Sequence, residues 1–207
     1  MSNRELRDQG YLYDASAAEP ALAQERLKAK KLCFEFSTQV SPDNEERQQE
    51  ILHELLGKMG NNVYMLPSFY CDYGYNIEIG DNFFANHNLT ILDPAKVIIG
   101  NNVFLANNVS ITTAGHPIDP QMRNQGLEYA YPVVIGDNVW IGANVTILPG
   151  VTIGSNVVIG AGAVVNRDIP DNVVAVGNPC KVLRAITEDD KLKYQNPPQC
   201  CLRLQGK

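Results

Sequence analysis

Three histidines occur in the chain, His53, His87 and His116, and they are not spaced as a metal-binding cluster. Imidazole suits proton transfer near neutral pH because its unperturbed pKa lies in that range. His116 is the candidate for such work. It stands between Gly115 and Pro117, which hold a side chain in a fixed place, and it opens a stretch, 114–132, that breaks a regular pattern on both sides. His53 falls in an expected helix and reads as a surface residue. His87 serves with it as a control.

The charges are unevenly spread. From Ile77 to Gly177 there are 3 basic residues, Lys96, Arg123 and Arg167, against 8 acidic ones. From Asn178 onward there are 6 basic and 3 acidic. A polyanionic ligand would find few cations apart from Arg167 and the first basic residues of the tail, Lys181 and Arg184. The net charge of -6 argues against a general binder of nucleic acid or of an anionic membrane.

The elements that position these groups fall into three parts, 1–60, 61–186 and 187–207. The first reads as helical: Ala21 to Glu35 is rich in strong helix formers. Ser41 followed by Pro42 reads as a second helix start, with Ile51, Leu52, Leu55 and Leu56 as its apolar stripe and Gly57 or Gly60 as its stop. Asp14 lies in this helical segment. In the second part aliphatic residues recur every six positions: Ile135, Ile141, Ile147, Ile153, Ile159 and Val165, four of them followed by glycine. An earlier run has Ile99, Leu105 and Ile111. Neither a helical nor a strand period explains this stride, whereas a hexapeptide repeat does. Three hexapeptides make a coil of about 18 residues, so Ile135 is expected to stack on Ile153, Ile141 on Ile159 and Ile147 on Val165, spaced ~4.8 Å. Glycine and asparagine are expected at the corners, where positive φ is tolerated. The segment 114–132 must be extruded to one side, and loops of that length are usually functional.

Several blocks taken together are more specific than the hexapeptides. They are Tyr13-Asp14, Cys71-Asp72-Tyr73-Gly74-Tyr75-Asn76-Ile77, Phe83-Phe84-Ala85-Asn86, Gly115-His116-Pro117, Asn138-Val139-Trp140-Ile141-Gly142, Pro149-Gly150-Val151-Thr152-Ile153-Gly154 and Gly177-Asn178-Pro179. With these, the chain from about Tyr11 to Ile186 resembles the maltose and galactoside O-acetyltransferases, hexapeptide-repeat enzymes that use acetyl-CoA. The resemblance implies a mostly β fold, a left-handed parallel β-helix with an N-terminal helical segment and an extruded loop. It implies acetyl transfer to a sugar hydroxyl, with no metal. His116 would then be the general base for a poorly nucleophilic hydroxyl. Asn86 would lie beside it at the reacting centre, and the backbone N–H of Ala143 near the thioester. The acceptor pocket would hold Asp14, Arg26, Asp72 and Asn86. Glu128, in the extruded loop, is a further candidate to orient His116 or touch the sugar, and Asp93 is another. The coenzyme A site would comprise Gly142, Ala143, Ala161, Asn166, Arg167, Lys181 and Arg184, with Trp140 lining the pantetheine channel. The family often has tyrosine where this chain has Phe84, which removes one hydroxyl contact.

The resemblance also implies a homotrimer with active sites between subunits, and neither nucleic acid nor membrane as partner. The alternatives are a hexapeptide acetyltransferase for another small hydroxyl or amine acceptor, and a non-catalytic β-helix scaffold. Five cysteines without C-x-x-C spacing, and a polar N-terminus, lead to the expectation of a reduced, cytoplasmic protein. The three N-x-[ST] sites, at Asn88, Asn108 and Asn144, read as consequences of Asn and Thr enrichment.

Overall fold

The computed structural model describes residues 1–15 and 20–193. The stride of six folds into a parallel β-helix of short strands on three faces, seen among the described residues as sheets of five, five and seven strands. Ile135 pairs with Ile153, Ile141 with Ile159 and Ile147 with Val165, as the repeat requires. The earlier coils are longer. Ile79 pairs with Ile99 and Ala85 with Leu105, a stride of twenty in each case. The added residues lie at one corner, in 72–76 and 93–96, and the segment 114–132 leaves the solenoid at that same corner.

Inside the coils the branched side chains are fully buried, among them Ile91, Ile111, Ile141 and Ile159 at 0% exposure. Burying such side chains contributes on the order of 2 kcal/mol each. Backbone N–H groups donate to carbonyls of the next coil, as Gly142 does to Ile159 and Trp140 to Val157. The corners are made chiefly by asparagine. Asn62, Asn82, Asn102, Asn138, Asn156 and Asn172 are left-handed, and each side-chain amide in turn donates to the next at 2.9–3.1 Å. Asn88, Asn108 and Asn144, the three sequon asparagines, form a second such column. The glycine that follows an inward aliphatic residue has a different purpose from the one expected. Gly100 is not left-handed, but a Cβ there would come within 2.8 Å of the Gly136 backbone. It permits the close approach of successive coils.

The N-terminal segment caps the first coil. Helices α1 (Asn3–Asp8), α2 (Pro20–Thr38) and α3 (Glu45–Leu55) precede a first solenoid strand at Lys58–Met59. Leu32, Cys33 and Phe36 of α2 and Ile51, Leu52 and Leu55 of α3 are buried in one cluster with Val63, Met65, Phe69 and Cys71. Ser41 and Pro42 do not start α3. Its cap is Asn44, whose side chain accepts from the Arg47 N–H, and Glu45 and Glu46 then suit the first turn. Asp14 is not helical either: Tyr13–Asp14 is a two-residue strand.

The extruded segment is more ordered than a loop. Ala114–Gly115 and Leu127–Ala130 pair antiparallel, with α4 (Pro120–Asn124) between them, and Tyr13–Asp14 adds the third strand. After the last coil, Lys181–Ala185 turns back antiparallel on Val173–Val176, and α5 (Asp189–Leu192) follows. The expected tail beyond residue 193, with Cys200 and Cys201, lies outside the described residues. Among the described residues no helix is long and apolar enough to cross a membrane.

Asp93, expected at the acceptor, is instead a support inside the expanded corner. It has 0% exposure, and its carboxylate accepts backbone N–H bonds from Asp72, Tyr73 and Gly74 at 2.8–2.9 Å. Burial pushes its pKa up to about 7; the three N–H donors oppose this, and the Asp72 charge adds to it.

Two outcomes test these assignments. Asn138→Ala should cost about 1–2 kcal/mol because alanine disfavours the left-handed corner, and Asn138→Gly should cost less. Urea midpoints for the two variants check the order. Asp93→Asn should cost about 1–3 kcal/mol, since one amide end faces backbone donors. Because the folded pKa lies above the unfolded value of about 3.9, the folded chain holds an extra proton between about 4 and about 7, and this group's stability contribution falls as pH rises through that window. Asp93→Asn should flatten that slope in unfolding free energy measured against pH.

Candidate active site

The small antiparallel sheet delivers His116. Tyr13 pairs with Glu128 and Asp14 with Leu127, while Gly115 pairs with Tyr129, so both neighbours of the histidine ring are fixed by strand register. The ring nitrogen Nδ1 lies 2.9 Å from the Leu127 carbonyl oxygen. A carbonyl only accepts, so Nδ1 carries the proton, and in the neutral ring Nε2 is the nitrogen with the lone pair. Nε2 lies 3.6 Å from Glu128 Oε1, and the Tyr13 hydroxyl donates to Glu128 Oε2 at 2.7 Å.

Beneath this group is a cavity of about 100 Å³ lined by Tyr13, Arg26, Asp72, Tyr73, Pro94 and Glu128. Arg26 reaches it from α2 and donates to the Tyr73 hydroxyl at 2.7 Å. Burial and the nearby Glu128 charge push the Asp72 pKa up, while Arg26 pulls it down. Asp14 is half-buried on the adjoining strand, and its backbone N–H donates to Asn3 Oδ1. The fold thus brings together His116, Glu128, Arg26 and Asp72, which are far apart in sequence. One guanidinium, two carboxylates and two phenols around a small cavity are groups that hydrogen-bond hydroxyls.

Asn86 is placed elsewhere. It follows the strand Phe84–Ala85 at the corner between the seven-stranded face and the next, and its Oδ1 accepts from the His87 N–H. With Phe84, Phe104, Ala106 and Trp140 it lines an apolar groove of about 420 Å³. Gly142, Ala143 and Ala161 rise along the same corner, where the Gly162 N–H donates to the Ala143 carbonyl. A Cβ on Gly142 would lie 2.6 Å from the Ala161 nitrogen, so the column is closely packed. On the same face the rings of Tyr64, Phe84 and Phe104 follow one another at 6.1 and 6.3 Å, and Trp140, half exposed, pairs next to Phe104.

Among the groups expected at the coenzyme A site, Asn166 and Arg167 are exposed just after Val164–Val165. Lys181 and Arg184 lie on the exposed strand Lys181–Ala185. Arg184 donates twice to Asp190 at 2.7 Å, which pulls the Asp190 carboxyl well below the usual carboxylate range. Reading the sequence missed that pairing, because it depends on the turn into α5. It also missed Tyr13, whose only signal was its place in the Tyr13-Asp14 block. His87 is exposed and its ring is held by the Pro67 carbonyl. His53 is exposed on α3.

Comparison with known proteins fits this arrangement. A family model described as maltose acetyltransferase hexapeptide capping motif matches residues 8–60, and one described as bacterial transferase hexapeptide (six repeats) matches 132–167. A putative acetyltransferase of Saccharomyces cerevisiae is 61% identical over 181 residues, covering 87% of this chain and 91% of the relative. The crystal structure of a maltose O-acetyltransferase from Clostridium difficile 630 superimposes with a TM-score of 0.87 at 51% identity, covering 91% of this chain and 99% of that one. A galactoside acetyltransferase solved in complex with coenzyme A superimposes with a TM-score of 0.90 at 44% identity, covering 95% and 96%. With both its capping segment and its solenoid matched, the chain belongs to the maltose and galactoside O-acetyltransferase family.

Proposed function

We propose that the protein transfers the acetyl group of acetyl-CoA to a hydroxyl of a sugar, with His116 as general base. The observation that carries this is the held imidazole: Nδ1–H donates to Leu127, and Nε2 lies 3.6 Å from Glu128, which lines a cavity together with Arg26 and Asp72. A hydroxyl is a weak nucleophile at neutral pH, and loss of its proton to Nε2 as it attacks the thioester carbon makes the step accessible. The C–S bond breaks, and the proton on His116 passes to the departing sulfur, giving coenzyme A and the acetyl ester. Arg26, Asp72 and Glu128 orient the acceptor; Asp14, on the neighbouring strand, is added by family resemblance.

The family resemblance assigns coenzyme A to the column of Gly142, Ala143 and Ala161, where small side chains leave room for a pantetheine arm. Trp140 and Phe104 supply an apolar wall. Asn166, Arg167 and Lys181 supply polar and cationic groups towards the end of the solenoid. Arg184 joins them only by exchanging Asp190 for phosphate.

Within one chain the His116 cleft and the Asn86 groove lie at different corners of the solenoid. Association of copies, as the homotrimer of the family resemblance, would set the histidine of one subunit against the groove of the next. The aromatic row of exposed Tyr64, Phe104 and Trp140 with half-buried Phe84 supports this, since such rows are covered in assemblies.

Thiol release from acetyl-CoA over a panel of mono- and disaccharides tests the reading. Sugar-dependent release should occur, and His116→Ala should lower it by about a hundredfold or more, the scale of a lost general base. Acetyl-CoA binding without release by any sugar would overturn the acceptor class. In the same assay Arg167→Ala should raise the acetyl-CoA KM by about tenfold, the scale of one charge-assisted contact, and Arg184→Ala should raise it less because Asp190 competes for that side chain.

A further inference from the structure

We propose that Tyr13 is a positioning residue for this reaction: its hydroxyl holds Glu128 so that the free carboxylate oxygen takes a second hydroxyl of the acceptor, next to the one attacking from His116. The inference rests on the reading of the site given above and extends it to the substrate: the acceptor carries neighbouring hydroxyls.

Tyr13 is almost completely buried, with 2% exposure, and belongs to the N-terminal segment rather than to the solenoid. Its hydroxyl donates to Glu128 Oε2 at 2.7 Å, which leaves Oε1 facing His116 Nε2 at 3.6 Å. That separation is too long for a hydrogen bond. With the proton on Nδ1, Nε2 and Oε1 are both acceptors, and two acceptors facing each other call for donors between them. A sugar has them: one hydroxyl donates to Nε2 and its neighbour to Oε1. After proton transfer the same oxygen faces the imidazolium and stabilises its charge. The backbone register reinforces the arrangement, because the strand Tyr13–Asp14 pairs with Glu128 and Leu127, the two residues that border the two ring nitrogens. Burial and the Glu128 hydrogen bond both push the Tyr13 hydroxyl pKa upward, so it remains a donor throughout the working range.

The test is a double-mutant cycle on the enzyme with the most active sugar of the panel, using Tyr13→Phe, Glu128→Ala and the pair. Tyr13→Phe should lower kcat/KM for the sugar by about tenfold and leave the acetyl-CoA KM and the melting temperature near wild type. In the Glu128→Ala background the same substitution should change kcat/KM by less than about twofold, because the residue through which it acts is gone. Independent, multiplying effects would overturn the proposal. So would a loss in Tyr13→Phe that follows its melting temperature, since the role would then be structural. If Tyr13→Phe does not fold, monodeoxy analogues of the sugar decide with the folded Glu128→Ala variant: wild type should lose activity on one analogue that retains the acetylated hydroxyl, and Glu128→Ala should not discriminate against it. Equal discrimination would overturn the proposal. A wild-type chain inactive with every sugar would instead overturn the acceptor reading itself.

Discussion

Successive coils share one requirement: the inward position on each face must be filled by a side chain of nearly constant size, because the next coil lies only ~4.8 Å away. Ile135 on Ile153 and Ile141 on Ile159 meet it with identical residues. The backbone then follows. Amides donate to the coil above, asparagines turn left-handed at the corners, and glycines such as Gly100 and Gly142 appear where another backbone passes too close for a Cβ. A stack of this kind is rigid and regular, and along its faces it offers an open groove such as that of Phe84, Asn86 and Trp140. The small cavity of Tyr13, Arg26, Asp72 and Glu128 lies where the stack is interrupted.

The interruption is confined to one corner. Two coils there carry extra residues, and the third extrudes 114–132. The extra backbone would leave unpaired N–H groups inside the protein, and the Asp93 carboxylate accepts three of them. That ties a buried acid to the shape of the Asp72 pocket without making it part of the cavity lining. The extruded segment is stabilised in turn by the N-terminal chain, whose strand Tyr13–Asp14 completes a small sheet with it. The capping segment is thus a structural part of the site. It contributes Arg26 and Tyr13 to the cavity as well as closing the end of the hydrophobic core.

The charge distribution has a similar logic. The solenoid is poor in cations, so a polyanion has few places to bind along it. Arg184, one of the first cations after it, is paired with Asp190 in the chain by itself. Releasing it for any other anion would cost that ion pair, which solvent weakens because both side chains are partly exposed. Arg167 carries no comparable cost.

The sequence by itself determined the solenoid, the inward residues and the extruded segment that carries His116. Repeats and local motifs are short-range signals, and stacking converts a fixed stride directly into contacts. It also carried the family blocks, although these gave a list of residues without their grouping. The tertiary structure decided the rest. It put Asn86 and His116 at different corners, kept Asp93 out of the cavity of Arg26 and Asp72, made Asp14 part of a strand, moved the α3 cap to Asn44, and turned the loop into a sheet that holds the imidazole. Each of these depends on pairing between segments distant in the chain, Tyr13 with Glu128 above all, and such pairings are chosen by competition for hydrogen-bond partners and burial in the folded chain, not by local pattern.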